Sequence, residues 1–152
     1  MITQLVMERL LYISESQLSQ SEASSQVTDI VNASLLKNAK LNLTGALFFT
    51  GMHFAQILEG PSDPLDDLMK SIHGDVRHKN IALVDRVPIR IRRFSDWAME
   101  YFGPSSYVSQ HVLEVLHFQV GSEQRRATER LMDLAHELSF WRKSDEDAAT
   151  DR

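Results

Sequence analysis

The stretch HFAQILEG, residues 53–60, decides the fold. Read as an extended strand, it alternates: Ala55, Ile57 and Glu59 point one way, and Phe54, Gln56 and Leu58 the other. The preceding LTGALFFTGM, residues 43–52, reads as a second strand that turns at Gly51 into the first. Gln56 then sits between Phe54 and Leu58 on an inward face. A buried amide without partners costs roughly 1–3 kcal/mol, so Gln56 needs hydrogen-bond partners there.

Working outward, RLLYIS (9–14) reads as a strand in which Tyr12 shares a face with Leu10 and Ser14. A polar stretch leads to VTDIVNASLLKNAK (27–40), whose Val27, Ile30, Val31 and Leu35 carry the helical spacing. After residue 60, Pro61 and Pro64 end the strand. Ser62 or Asp63 is expected to cap a helix with the apolar stripe Leu65, Leu68, Met69 and Ile72, which stops near Gly74. IALVDRVPI (81–89) reads as a fourth strand, with Pro88 placing it at an edge or a strand end. DWAMEYF (96–102) reads as a fifth, with Trp97 and Met99 on one face. The fold class is therefore α+β. The order βαββαββ contains the ferredoxin-like split-βαβ arrangement: a five-stranded mixed sheet with two helices on one face, in which β2–β3 and β4–β5 are expected as strand pairs.

Beyond Gly103 and Pro104 the pattern changes. Val108, Val112, Val115 and Leu116 predict a third helix, and Ala127, Leu131, Leu134 and Leu138 a fourth. Their stripes need an apolar surface, and the free face of the sheet is the nearest. The expected division is a domain over 1–103, a helical extension over 104–140, and a polar, disordered tail over 141–152.

The bulk properties exclude several classes. The 152 residues are 43% hydrophobic and 24% charged, ordinary for one globular domain. No apolar run is long enough to span a membrane, and the N-terminal stretch lacks signal-peptide features. Cysteine is absent, which removes thiolate metal sites and Cys nucleophiles, and a cytoplasmic location fits. A net charge of −5 argues against a broad nucleic-acid surface. The four arginines of RVPIRIRRF (86–94) read as a solvated strand face and turn rather than a phosphate patch. The six histidines show no metal-ligand spacing, and no catalytic motif with a phosphate loop, nucleophile elbow or dinucleotide fingerprint is present.

What remains is a set of polar and aromatic residues on inward positions: Tyr12, Asn38, Gln56, Trp97 and Met99. Each alone is more commonly a core residue. Together they form a donor and acceptor cluster beside a slot between the two helices, walled by Ile30 and Ile72. A planar heterocycle with carbonyls and ring nitrogens would complete it.

Residues 8–102 resemble the BLUF domain, a blue-light sensor that uses flavin. The resemblance rests on LLYIS with Tyr12, SLLKNAKLNLTGALFF with Ser34, Asn38 and Gly45, and GMHFAQILEG with Gln56. SIHGDVRHKN with Arg77 and His78 and RRFSDWAMEYF with Trp97 and Met99 complete it. It implies a non-covalently bound FAD, with FMN or riboflavin as options. The implied cofactor-binding set is Ile30, Ser34, Lys37, Asn38, Gln56, Ile72, Arg77 and His78. Tyr12, Gln56, Trp97 and Met99 form the implied photoactive switch. Lys37 is a departure, since many members carry Asn or Arg there; it leaves open how the pyrimidine edge or the phosphates are held. The resemblance also implies a mechanism: Tyr12 gives an electron and then a proton through Gln56, whose rotated or tautomerised amide strengthens its bond to the flavin C4 carbonyl. Strand five and the C-terminal helices are the expected route to a downstream signalling protein, and a homo-oligomer is expected. Nucleic acid, membrane and metal are not expected. A flavin-dependent oxidoreductase and a cofactor-free ferredoxin-like interaction module remain alternatives, and either Trp97 or Met99 could face the flavin.

Overall fold

The computed structural model describes residues 6–95, 98–118 and 121–150, the last four by their backbone alone. The elements follow in the order β1 (Met7–Ser16), α1 (Ala23–Leu41), β2 (Thr44–Phe49), β3 (His53–Pro61), α2 (Ser62–His73), β4 (His78–Ile89), β5 (Glu100–Phe102), α3 (Ser106–His117) and α4 (Ser122–Thr150). The five strands form one sheet in the order β4-β1-β3-β2-β5. Three ladders are antiparallel, and β2–β5 is parallel. The expected ferredoxin-like arrangement is present.

Local chemistry fixes the hairpin and its neighbours. Gly51 has φ +94°, a turn conformation that side chains with a Cβ disfavour. At Gly45 a Cβ would lie 1.9 Å from the Ile57 carbonyl oxygen, so only glycine lets β2 approach β3 there. Asn42 ends α1 in the left-handed region at φ 57°, a conformation that Asn tolerates. Ser105 caps α3, its Oγ accepting from the Val108 N–H at 3.1 Å.

The sheet has a core on each face. Leu10, Tyr12, Leu47, Phe49, Phe54 and Leu58 pack beneath α1 and α2. Leu11, Ile13, Ala46, Phe48, Ala55 and Ile57 pack against Val108, Val112, Val115, Ala127, Leu131 and Leu134 of α3 and α4. The amphipathic C-terminal helices therefore cover the second face. Each fully buried large apolar side chain in that contact contributes roughly 1.5–3 kcal/mol.

Five expectations are corrected. Strand five is only Glu100–Phe102, and it pairs with β2 at the edge opposite β4 rather than with β4. A parallel edge strand of three residues has too little alternation to mark its bounds. The tail expected to be disordered from residue 141 is helical as far as Thr150, as an extension of an α4 already anchored by packing. Ser62 and Asp63 do not cap α2, whose N-cap is Pro61; Ser62 instead bonds the Glu8 carboxylate. Leu35 is 37% exposed, because the inner face of α1 runs through Val27, Ile30 and Asn38. Strand four begins at His78, three residues earlier than read. Pro88 does lie on an edge strand. Of the four arginines, three are tied within the chain: Arg86 to Glu8 and Asp66, Arg92 to Thr44 and to backbone carbonyls, and Arg93 to Glu129 and Asp133.

Candidate functional site

Gln56 lies at the centre of the sheet, directly opposite Tyr12 on β1 and Leu47 on β2. It is 5% exposed, and Tyr12 is 1% exposed. The Tyr12 hydroxyl donates a hydrogen bond to Gln56 Oε1. The amide nitrogen, Nε2, is 3.8 Å from the Met99 sulfur, a weak acceptor. One end of the amide is thus held strongly and the other weakly. Burial, with a contribution from the negative charge of Asp75, pushes the Tyr12 phenol far above its ordinary pKa, so it keeps its proton.

Beside this pair, between α1 and α2, opens a cleft. Every residue of the expected cofactor-binding set lines it: Ile30, Ser34, Lys37, Asn38, Gln56, Ile72, Arg77 and His78. Tyr12 lines it too. Ile30 and Ile72 bring apolar surface from the two helices, each 8% exposed. Lys37 bridges α1 to α2 through the Ser71 hydroxyl at 3.2 Å. Asn38, buried on the last turns of α1, donates through Nδ2 to the Ala98 carbonyl at 2.8 Å. That bond ties the helix to the segment leading into β5. Met99 follows at once, 6% exposed, and it reaches Gln56 although it lies just outside the strand. Trp97 lies outside the described residues.

The far wall carries charge. Asp75 grips Arg77 with both oxygens, taking Nε at 2.9 and 3.1 Å and Nη2 at 2.6 Å. The Arg77 guanidinium holds the Asp75 carboxyl below the usual carboxylate range, and Asp75 in turn raises Arg77. His78 lies 4.7 Å from Phe54, ring centre to ring centre and tilted by 48°, meets the Tyr12 ring edge-on at 6.1 Å, and bonds Ser14 Oγ at 2.7 Å. Burial, helped by Arg77 and opposed by Asp75, lowers its pKa. Ser14 and Asp75 were not singled out in the sequence. Ser14 carried one signal, its shared face with Tyr12; Asp75 carried none. Among the described residues no cluster of three or more His, Asp or Glu side chains could hold a metal ion. No helix among them is long and apolar enough to cross a membrane.

The fold and site together are a split-βαβ sheet with a buried tyrosine–glutamine pair beside an apolar-walled polar slot. The family described as BLUF, sensors of blue-light using FAD, matches residues 7–100, and the chain belongs to it. The blue light- and temperature-regulated antirepressor BluF of Escherichia coli K12 is 31% identical over 118 residues, 76% of this chain and 28% of that protein. The photoactivated adenylate cyclase subunit alpha of Euglena gracilis is 24% identical over 114 residues, 75% of this chain and 11% of that one. The chain thus spans under a third of either relative. Among solved structures, the dark state of the BLUF protein BlrB superposes with a TM-score of 0.74 at 29% identity, over 89% of this chain and 99% of that one. A bacterial light-regulated adenylyl cyclase gives 0.62 at 29% identity, over 84% of this chain and 36% of that one.

Proposed function

We propose that this chain is a blue-light photoreceptor that binds FAD in the α1–α2 cleft and signals through the Tyr12–Gln56 pair to a partner protein. The observation that carries the reading is the buried amide of Gln56, bonded by Tyr12 at one end and, among the described residues, hydrogen-bonded only to the Met99 sulfur at the other. The residues present fit a flavin. The slot has apolar walls from Ile30 and Ile72, hydrogen-bonding groups on Gln56, Asn38, Ser34 and His78, and cations on Lys37 and Arg77 for an anionic tail.

When bound, the flavin supplies absorption of blue light and a strong electron acceptor. The chain's part is orientation and proton placement. Ile30 and Ile72 would offer the bound ring apolar walls, and Lys37 joins their helices through Ser71. Tyr12 keeps its proton on the bond to Gln56 Oε1 and is positioned as donor of an electron and that proton. Gln56 can exchange its two ends by rotation, because leaving Met99 Sδ gives up only a weak contact. An amide with one strong and one weak partner is a two-state element. Met99, which leads directly into β5, lies against the weak end, so a turned amide disturbs the approach to that edge of the sheet, on which α3 and α4 also rest.

The test is the absorption of the purified chain. A yellow protein whose band moves to the red under blue light and returns in darkness supports the reading. A chain that stays colourless after addition of FAD, FMN or riboflavin sinks it. Chromatography of the released cofactor separates FAD from FMN.

A further inference from the structure

The back of the cleft poses a question of proton position. Ser14 lies on β1 two residues beyond Tyr12, on the same face, and is 1% exposed. Its Oγ is 2.7 Å from His78 Nδ1. Either atom could carry the hydrogen. If Nδ1–H donated, the serine hydrogen would need a second acceptor. Among the described residues none is recorded for it, and a buried unpaired hydroxyl hydrogen is unfavourable. If the serine donates, both groups are satisfied, and Nδ1 is the acceptor nitrogen of a neutral imidazole. The remaining proton then sits on Nε2.

The surroundings agree. The Phe54 ring lies against the imidazole at a tilt of 48° and Tyr12 meets it edge-on, so the ring has little freedom to flip. Asp75 and Arg77 stand just before His78 in the chain, and Lys37 and Tyr12 share the cleft with it. The Asp75 carboxylate is occupied by Arg77, and the bond between Asp75 and His78 is a backbone one, the His78 N–H donating to the Asp75 carbonyl at 3.2 Å, which leaves the imidazole out. His78 lines the cleft, and among the described residues its Nε2 has no hydrogen-bond partner.

We infer that Ser14 is a positioning residue that locks His78 as the neutral Nε2–H tautomer, so that His78 donates a hydrogen bond to an acceptor atom on the ring bound in the cleft. The ring half of this inference rests on the flavin reading; the tautomer half does not. An imidazole already protonated at Nε2 cannot accept a proton there. His78 is then a fixed donor, which takes away the general base that an oxidoreductase at this cleft would use.

The experiment is nitrogen-15 NMR of the imidazole groups in the full-length chain, with and without FAD. The His78 signals are identified by their loss in His78→Gln. The expected result in both samples is a protonated Nε2 and an unprotonated Nδ1. Ser14→Ala should move the tautomer ratio by about fivefold, and Ser14→Thr, which keeps the hydroxyl, should restore it. A protonated Nδ1 in the unaltered chain, or the same ratio in Ser14→Ala, overturns the inference. Should Ser14→Ala fail to fold, the unaltered chain decides alone. With FAD bound, Ser14→Ala should change the lifetime of the light-adapted state and make it vary between about pH 6 and 8, and Ser14→Thr should reverse this. An unchanged lifetime at every pH overturns the ring half. Failure to bind any flavin counts against the proposed function, while the tautomer in the flavin-free chain still judges Ser14.

Discussion

Glu59 Oε1 accepts the backbone N–H of Phe94 at 2.7 Å, and this contact ties the end of β3 to the irregular segment that leads to Met99. Oε2 takes the Arg93 N–H at 3.0 Å and the Arg9 side chain at 2.9 Å. The carboxylate is fully buried, so four donors replace its water. Replacing Glu59 with leucine leaves two backbone N–H groups and Arg9 without their acceptor. A loss of about 3–5 kcal/mol in urea unfolding is expected, the range for breaking a buried charge pair. A loss below about 1 kcal/mol would show that Phe94 and the core beneath α4 hold the segment unaided.

Gln56→Leu keeps a similar volume and removes both ends of the switch. Flavin should remain bound, since Ile30 and Ile72 still wall the slot, while the red shift disappears. The Tyr12 hydroxyl loses its acceptor, so stability should fall by about 1–3 kcal/mol. A normal photocycle in this variant removes Gln56 from the mechanism.

Tyr12→Phe keeps the ring in the core and takes away only the hydroxyl. Cofactor binding should persist and the normal red-shifted state should be lost. Formation of the same photoproduct in similar yield would make Tyr12 a core residue and move the electron source elsewhere, with Trp97 the first variant to test.

Acid should weaken the domain in a window set by histidine. His78 is lowered by burial, and so is His136, with Arg93 adding to the second effect. A group with a depressed folded pKa binds fewer protons in the folded state. Its stabilisation is therefore complete above the unfolded value near 6.5 and declines as the pH falls below it. Glu8 and Asp75 are also lowered, but they act below their ordinary carboxylate values and outside this window. The urea midpoint should drop between about pH 7.5 and 5.5. In His78→Gln the drop should be smaller. An equal drop in the variant would assign the effect to His136 or to other groups.

Much of this was legible because β3 alternates cleanly. Phe54, Gln56 and Leu58 had to share a face, and Tyr12 shares a face of β1 with Leu10, so their inward placement followed from period two, while the strand order that sets Tyr12 opposite Gln56 did not. The stripes of α3 and α4 likewise demanded an apolar surface. The clasp of Glu59 was not legible. Its face could be read, but its partners are backbone N–H groups in a segment with no period, 34 and 35 residues away. Strand five failed for a related reason: three residues pairing in parallel with β2 leave no local pattern. The Asp75–Arg77 fork depends on a turn whose geometry two residue names do not reveal.

The C-terminal helices supply the last test. Leu11, Ile13, Ala46, Phe48, Ala55 and Ile57 form one apolar sheet face, and α3 and α4 cover it. Arg142 pins α4 to β5, donating to Glu100 Oε1 and to the Tyr101 carbonyl, each at 2.9 Å, with its guanidinium 5.2 Å from the centre of the Phe102 ring. The strand nearest Met99 is thus fastened to the helix that would carry a signal outward. A chain ending after Gly103 keeps Tyr12, Asn38, Gln56 and Met99 but bares the sheet face. It should aggregate, because a contiguous apolar surface of that kind is not stable in water. Flavin absorption in any fraction that stays in solution should be preserved. Arg142→Met in the full chain is the milder companion: the fold and the dark spectrum should survive, while the light-driven change in α4, read as hydrogen exchange along residues 131–146, should diminish. A soluble, monomeric fragment of unchanged stability would show that the sheet does not need these helices and would leave them free for a partner. An exchange pattern indifferent to Arg142 would place the route from Met99 to α4 elsewhere.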